Sequence, residues 1–183
     1  MRELINLVEG ILTESSRASL EAYFGNESNF NFKSERDWKF DGNYDPEDED
    51  DEGVWSFPSG GQWFICTDWS CYARRFYGDR VKLFGFMVED NPESEGLVGF
   101  EGHDFAVLDD RYIIDGWLKA VEDFAGGRCV FDMQDPQDAQ FIRRFYGDPK
   151  KWTHNTNIEQ RVDRETPEQR ALAMRGVAKP PSV

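Results

Sequence analysis

Gly61-Gln62-Trp63-Phe64-Ile65-Cys66-Thr67-Asp68-Trp69-Ser70-Cys71-Tyr72-Ala73-Arg74-Arg75-Phe76-Tyr77-Gly78 is the stretch from which the fold is read. Gly61 to Ile65 is a short apolar run with the character of a buried strand. Asp68 is a good N-cap, because its carboxylate can accept the free N–H groups of a first helical turn. Gly78 is a good stop, since glycine enters the left-handed region freely. A helix from 69 to 77 places Cys71 in its first turn, at the positive end of the dipole, where thiolate is favoured over thiol. Cys66, at the end of the apolar run, reads as a core residue.

The chain has 183 residues, enough for one ordinary domain with a core. Six Trp and fifteen Phe argue against disorder over most of its length. A formal charge of −15 disfavours nucleic-acid backbone and anionic membrane surfaces as partners and permits a cationic protein partner or mimicry of a nucleic acid. No segment approaches the ~20 apolar residues of a membrane span. The early acid in Met1-Arg2-Glu3-Leu4 is unlike a signal sequence. Three irregularly spaced cysteines are not a disulfide framework, so a cytoplasmic, reducing compartment is expected.

Residues 3–12 set Leu4, Ile5, Leu7, Val8, Ile11 and Leu12 on one face of a docking helix, with another turn or two over Ala18 to Phe24. Asp41 to Glu52 contains eight acids and no base, a solvated acidic loop spanning 41–53. Asp41, Asn43, Asp45, Glu49 and Glu52 have the spacing of a calcium loop, but Pro46 occupies the position that wants glycine. Strands are expected at Val81 to Glu89, Phe105 to Leu108, Tyr112 to Ile114 and Cys129 to Met133, and helices at Trp117 to Ala125 and from Asp135-Pro136 to Tyr146. This delimits a globular domain over 1–148. Residues 149–183 read as a polar C-terminal extension with a short helix behind the Thr166–Gln169 capping box, ending in a disordered Lys179-Pro180-Pro181. Arg-Arg-Phe-Tyr-Gly-Asp occurs at 74–79 and at 143–148, both at helix C-termini. Shared stop chemistry accounts for it, and the alternative is two arginine pairs serving one anionic site.

A cysteine nucleophile needs a base and a group that orients the base. His103 begins the first strand of the expected Phe105–Ile114 hairpin, and Asp115 follows the second. With Asp109 at the centre of the turn, 103 lies opposite 115, on the same face. Asp115 also reads as an N-cap for the helix that follows. His154, in the polar extension, is the weaker base. Zinc on Cys66, Cys71, His103, Cys129 and His154 lacks any Cys-x-x-Cys or His-x-x-x-His spacing, so no metal and no cofactor is expected.

The order Cys71-Tyr72-Ala73-Arg74-Arg75, Val81 to Phe86, Gly102-His103-Asp104-Phe105-Ala106-Val107 and Tyr112-Ile113-Ile114-Asp115 resembles the transglutaminase-like branch of the papain-like cysteine enzymes. The resemblance covers about 60–117. It implies an α+β, papain/transglutaminase-like fold, with a cysteine-bearing helix packed on a small antiparallel sheet. It also implies a Cys71–His103–Asp115 triad acting on an amide or isopeptide carbonyl of a protein or peptide through a thioester. Gln62, Trp63 and Trp69 carry N–H donors for an oxyanion, alongside the Cys71 backbone. The resemblance favours Gln62, with Trp69 as the alternative. Peptidase, deamidase and transamidase chemistries share these residues. The rival expectation is a non-catalytic acidic interaction module, an inhibitor or nucleic-acid mimic.

Overall fold

The computed structural model describes residues 16–30, 39–40, 55–56, 66–122 and 127–183. The docking helix of 3–12, the acidic loop with its calcium spacing, the 61–65 strand, Gln62 and Trp63 lie outside these residues.

Helix α1 (residues 16–24) is followed by two short paired strands, β1 (Lys39–Phe40) and β2 (Trp55–Ser56). Then come α2 (Cys66–Tyr77), β3 (Val81–Met87), β4 (Gly102–Leu108), β5 (Tyr112–Ile114), α3 (Gly116–Glu122), β6 (Val130–Asp132), α4 (Ala139–Tyr146), β7 (Thr153–His154), α5 (Thr156–Asp163) and α6 (Pro167–Ala173). The main sheet is antiparallel, in the order β6-β5-β4-β3-β7. The fold is therefore α+β, with helices on a small antiparallel sheet.

Central strand β4 is covered on both faces. Asp104 bonds Thr67 of α2. Phe105 packs its ring on Tyr146 of α4 and on Trp152, at 4.8 and 4.9 Å. Consecutive strand residues point to opposite faces, so α2 and α4 lie on either side. Ala106, Leu108, Ile113, Val130 and Phe131 are fully buried. Burying a side chain of this size contributes roughly 1.5–3 kcal/mol.

Helix α2 begins by Cys66, ahead of the expected Asp68 cap, and ends where expected at Gly78, φ +61. The β4–β5 hairpin turns through Asp109 and Asp110, both at φ +53. Its pairs run Leu108↔Tyr112 to Ala106↔Ile114. Continued, this register puts residue 105, not 103, opposite 115. The shift is by two positions, which preserves the face.

Residues 149–183 are built into the domain. Strand β7 is an edge of the main sheet, and the Leu83 N–H donates to Glu159 of α5 at 2.7 Å. Pro181 is held by the Tyr77 hydroxyl at 3.1 Å, and the Thr166–Gln169 capping box is formed. The sequence shows little of this because α5 buries chiefly one aliphatic residue, Val162, and otherwise docks through polar groups. The two Arg-Arg-Phe-Tyr-Gly-Asp copies share helix-stop geometry, with Gly147 at φ +63, but their arginines serve different places. Arg74 pairs with Asp163 and Arg75 with Glu165, while Arg143 meets Glu93.

Arg74 is nearly buried and also donates to the Val81 carbonyl at 2.5 Å. Its partner Asp163 is half-exposed, so the ion pair itself adds little. Arg74→Ala strands the buried carbonyl. It is expected to lower the urea midpoint by the equivalent of about 1–3 kcal/mol with an unchanged m-value.

Candidate active site

His103 and Asp115 come together. Nε2 of His103 lies 2.6 Å from Oδ2 of Asp115, with both side chains about 1% exposed. The same Oδ2 accepts the Tyr146 hydroxyl at 2.9 Å, while Oδ1 accepts the Leu118 N–H at 3.4 Å. Asp115 thus caps α3 with one oxygen and fixes the imidazole with the other. The ring is packed by Trp117 at 5.0 Å, Tyr146 at 6.0 Å, and Phe86 and Phe105 at 6.3 Å.

The cysteine that this imidazole meets is Cys66. Five helical residues rotate the side chain about 140° beyond a full turn and advance it about 7.5 Å, so Cys66 and Cys71 face different surroundings. Cys71 is 2% exposed, with Arg75, Arg161 and Asp68 as its charged neighbours. Burial pushes its thiol pKa up, against the lowering expected from a first-turn position. The expectation for Cys71 fails because the helix starts earlier. Cys71 sits in the second turn, on the charged stripe that meets α5.

Cys66 occupies the first turn, where backbone N–H groups lack intrahelical partners and the dipole is positive. The Asp104 N–H donates to its Sγ at 3.4 Å. Asp104 Oδ2 accepts the Thr67 hydroxyl at 2.5 Å, and Oδ1 accepts the Asn155 amide at 2.8 Å. This bridge ties the start of α2 to β4 and to the β7–α5 junction. Gly85 makes room for it, since a Cβ there would lie 2.1 Å from Asp104 Oδ1.

Nδ1 of His103 makes no hydrogen bond among the described residues, and the ring lies within the electrostatic reach of Cys66. Thiol and imidazole are thus neighbours whose interaction favours the protonated ring. Burial alone would drive the proton off His103. The Asp115 carboxylate and the Cys66 sulfur outweigh it and push the pKa up from 6.5 to about 10. The ring is therefore held as imidazolium at neutral pH.

A cleft of about 450 Å³ opens here, lined by Cys66, Thr67, Phe86, Met87, His103 and Asp104 among others. Trp69 is absent from its lining. Its indole is 3% exposed, packs on Phe30 at 4.6 Å, and covers Gly116 so closely that a Cβ there would lie 2.5 Å from the ring. It is a core residue and no oxyanion donor. His154 stacks on Phe84 at 5.2 Å and bonds Glu159 at 2.8 Å, so its role is in the sheet edge. Cys129 is fully buried beside Glu21. Among the described residues, no group of three or more His, Cys, Asp or Glu converges as a metal site, and no helix is long and apolar enough to cross a membrane.

Local pattern held one signal for Cys66. It shares a stripe with the small residues Ser70 and Ala73, which allow close approach to β4, whereas Asp68, Arg74 and Arg75 flank the stripe of Cys71. Tyr146 and Asn155 had no local signal. No protein-family model, curated protein or solved structure matches this chain.

A folded-state pKa raised above 6.5 means that the His103 proton stabilises the protein fully below that pH, and the contribution fades as pH climbs toward 10. In an NMR titration the His103 ring is expected to remain protonated at pH 8. Cys66→Ala and Asp115→Asn lower its pKa, whereas Cys71→Ala leaves it in place. A ring that titrates near 6.5 in the unsubstituted protein contradicts the pairing.

Proposed function

We propose that this protein is a cysteine hydrolase or acyltransferase acting on an amide or isopeptide carbonyl. Cys66 is the nucleophile, His103 the proton carrier and Asp115 the group that orients it. The reading is carried by one ring: an imidazole whose Nε2 is fixed by a buried carboxylate at 2.6 Å, while its Nδ1 is left toward a thiol in a helix's first turn. The Cys–His–Asp order along the chain, with the cysteine helix laid on an antiparallel sheet, supports the papain/transglutaminase-like assignment. The three cysteines are free, which suits such chemistry in a reducing compartment such as the cytoplasm.

In this mechanism the Cys66 thiolate attacks the carbonyl carbon, and the C=O π pair moves onto oxygen. Free N–H groups of the first turn of α2 face the developing oxyanion. As the tetrahedral intermediate collapses, the C–N bond breaks and the amine leaves with the proton from His103. The thioester then accepts water or a second amine. Imidazole takes the incoming proton, and Cys66 departs as thiolate. Tyr146 and Leu118 hold Asp115 so that the ring keeps its orientation through both halves.

Iodoacetamide is expected to alkylate Cys66 at pH 6.5 well ahead of free cysteine, with the site located by peptide mass spectrometry. Cys71→Ala retains the reaction, while His103→Ala slows it about 100-fold, the lower end of the usual acid–base contribution. Turnover of an amide substrate disappears in Cys66→Ala with the fold intact. Labelling of Cys66 at the rate of free cysteine would sink the assignment.

A further inference from the structure

We propose that the cleft selects a cationic substrate, with a lysine- or arginine-like side chain next to the reacting carbonyl, and that Glu101 receives its charge. This rests on Cys66 being the nucleophile. Two carboxylates line the cleft among the described residues; its one cation is the His103 ring, already paired with Asp115, and no lysine or arginine lines it. The carboxylates differ in availability. Both oxygens of Asp104 are engaged, by Thr67 and Asn155, so this acid is part of the scaffold. Glu101 is exposed, and its carboxylate makes no hydrogen bond or ion pair among the described residues. It lies two positions before His103, whose Nδ1, on a side chain 1% exposed, is the unsatisfied group on the cleft wall.

An apolar surface lies between the acid and the ring. Met87 pairs with Gly102, and a Cβ on Gly102 would come within 3.2 Å of the Met87 Sδ, so the thioether lies over the glycine. Met87 is 40% exposed. The Val88 N–H to Glu101 carbonyl bond, at 2.9 Å, fixes the acid's backbone beside it. A long side chain that is apolar along its stem and cationic at its tip matches this order of Met87 then Glu101, which an acidic or short side chain does not. The formal charge of −15 adds a field that draws cations toward the molecule and repels anions.

Matched thiol reagents test this without a known substrate. Rates at Cys66 are compared for 2-aminoethyl methanethiosulfonate, a cation, and 2-sulfonatoethyl methanethiosulfonate, an anion. Each is divided by the iodoacetamide rate of the same variant to remove differences in intrinsic thiol reactivity. Cys71 and Cys129 are buried, and labelled peptides identify the site. The cation is expected to react at least tenfold faster than the anion. Glu101→Gln is expected to cut that ratio severalfold, whereas Asp110→Asn, at the far end of β4, leaves it within twofold. A ratio near one, or equal losses in both variants, overturns the proposal while iodoacetamide labelling keeps Cys66 as nucleophile. Failure of all three reagents at Cys66 overturns the nucleophile and the selectivity together.

Discussion

A protonated imidazole between a buried carboxylate and a thiol is the constraint on which the site depends. An imidazole that is almost wholly buried should be neutral, because desolvation penalises its charge. Here Asp115 lies 2.6 Å away, and Cys66 faces the other side of the ring, so the charged form wins. A buried charge that loses its partner is costly, which makes His103, Asp115 and Cys66 interdependent. The surrounding packing serves that arrangement. Trp117 and Tyr146 confine the ring, and the Tyr146 hydroxyl and the α3 N-terminus occupy the rest of the carboxylate.

The C-terminal segment contributes more than cover. Thr153 of β7 and Asn155 at the β7–α5 junction border the cleft, and the Asn155 amide steadies Asp104, whose own N–H reaches Cys66. Arg74 and Arg75 of α2 pair with Asp163 and Glu165, on and just beyond α5. The helix that carries Cys66 is thereby fastened at its C-terminal end to α5 and, through Asp104, at its first turn to β4. Both ties cross long sequence separations, so the position of Cys66 is a property of the assembled domain.

Much of the plan was legible in local pattern. The Tyr112 to Ile114 strand, the turn at Asp109-Asp110-Arg111, the stop at Gly78 and the Thr166 capping box form as read, and the strand expected over Val81 to Glu89 forms as far as Met87. His103 and Asp115 were found as a pair because side chains alternate along strands. A register wrong by two residues still returned the correct face. Parity is a robust quantity in a sheet, and the identity of the directly opposed partner is not.

From the chain alone came the class of fold, the hairpin and the His103–Asp115 pair, since each follows from a short-range periodicity or a turn. Only the folded molecule decided which cysteine meets them. Asp68 is a competent cap for a helix starting at 69, and moving the helix start three positions back to Cys66 changes which thiol lies at the positive end. Contact with β4 and α5 sets that start, placing Cys66 beside His103 and turning Cys71 toward Arg161. Packing between elements distant in sequence supplies that choice, and no local propensity contains it.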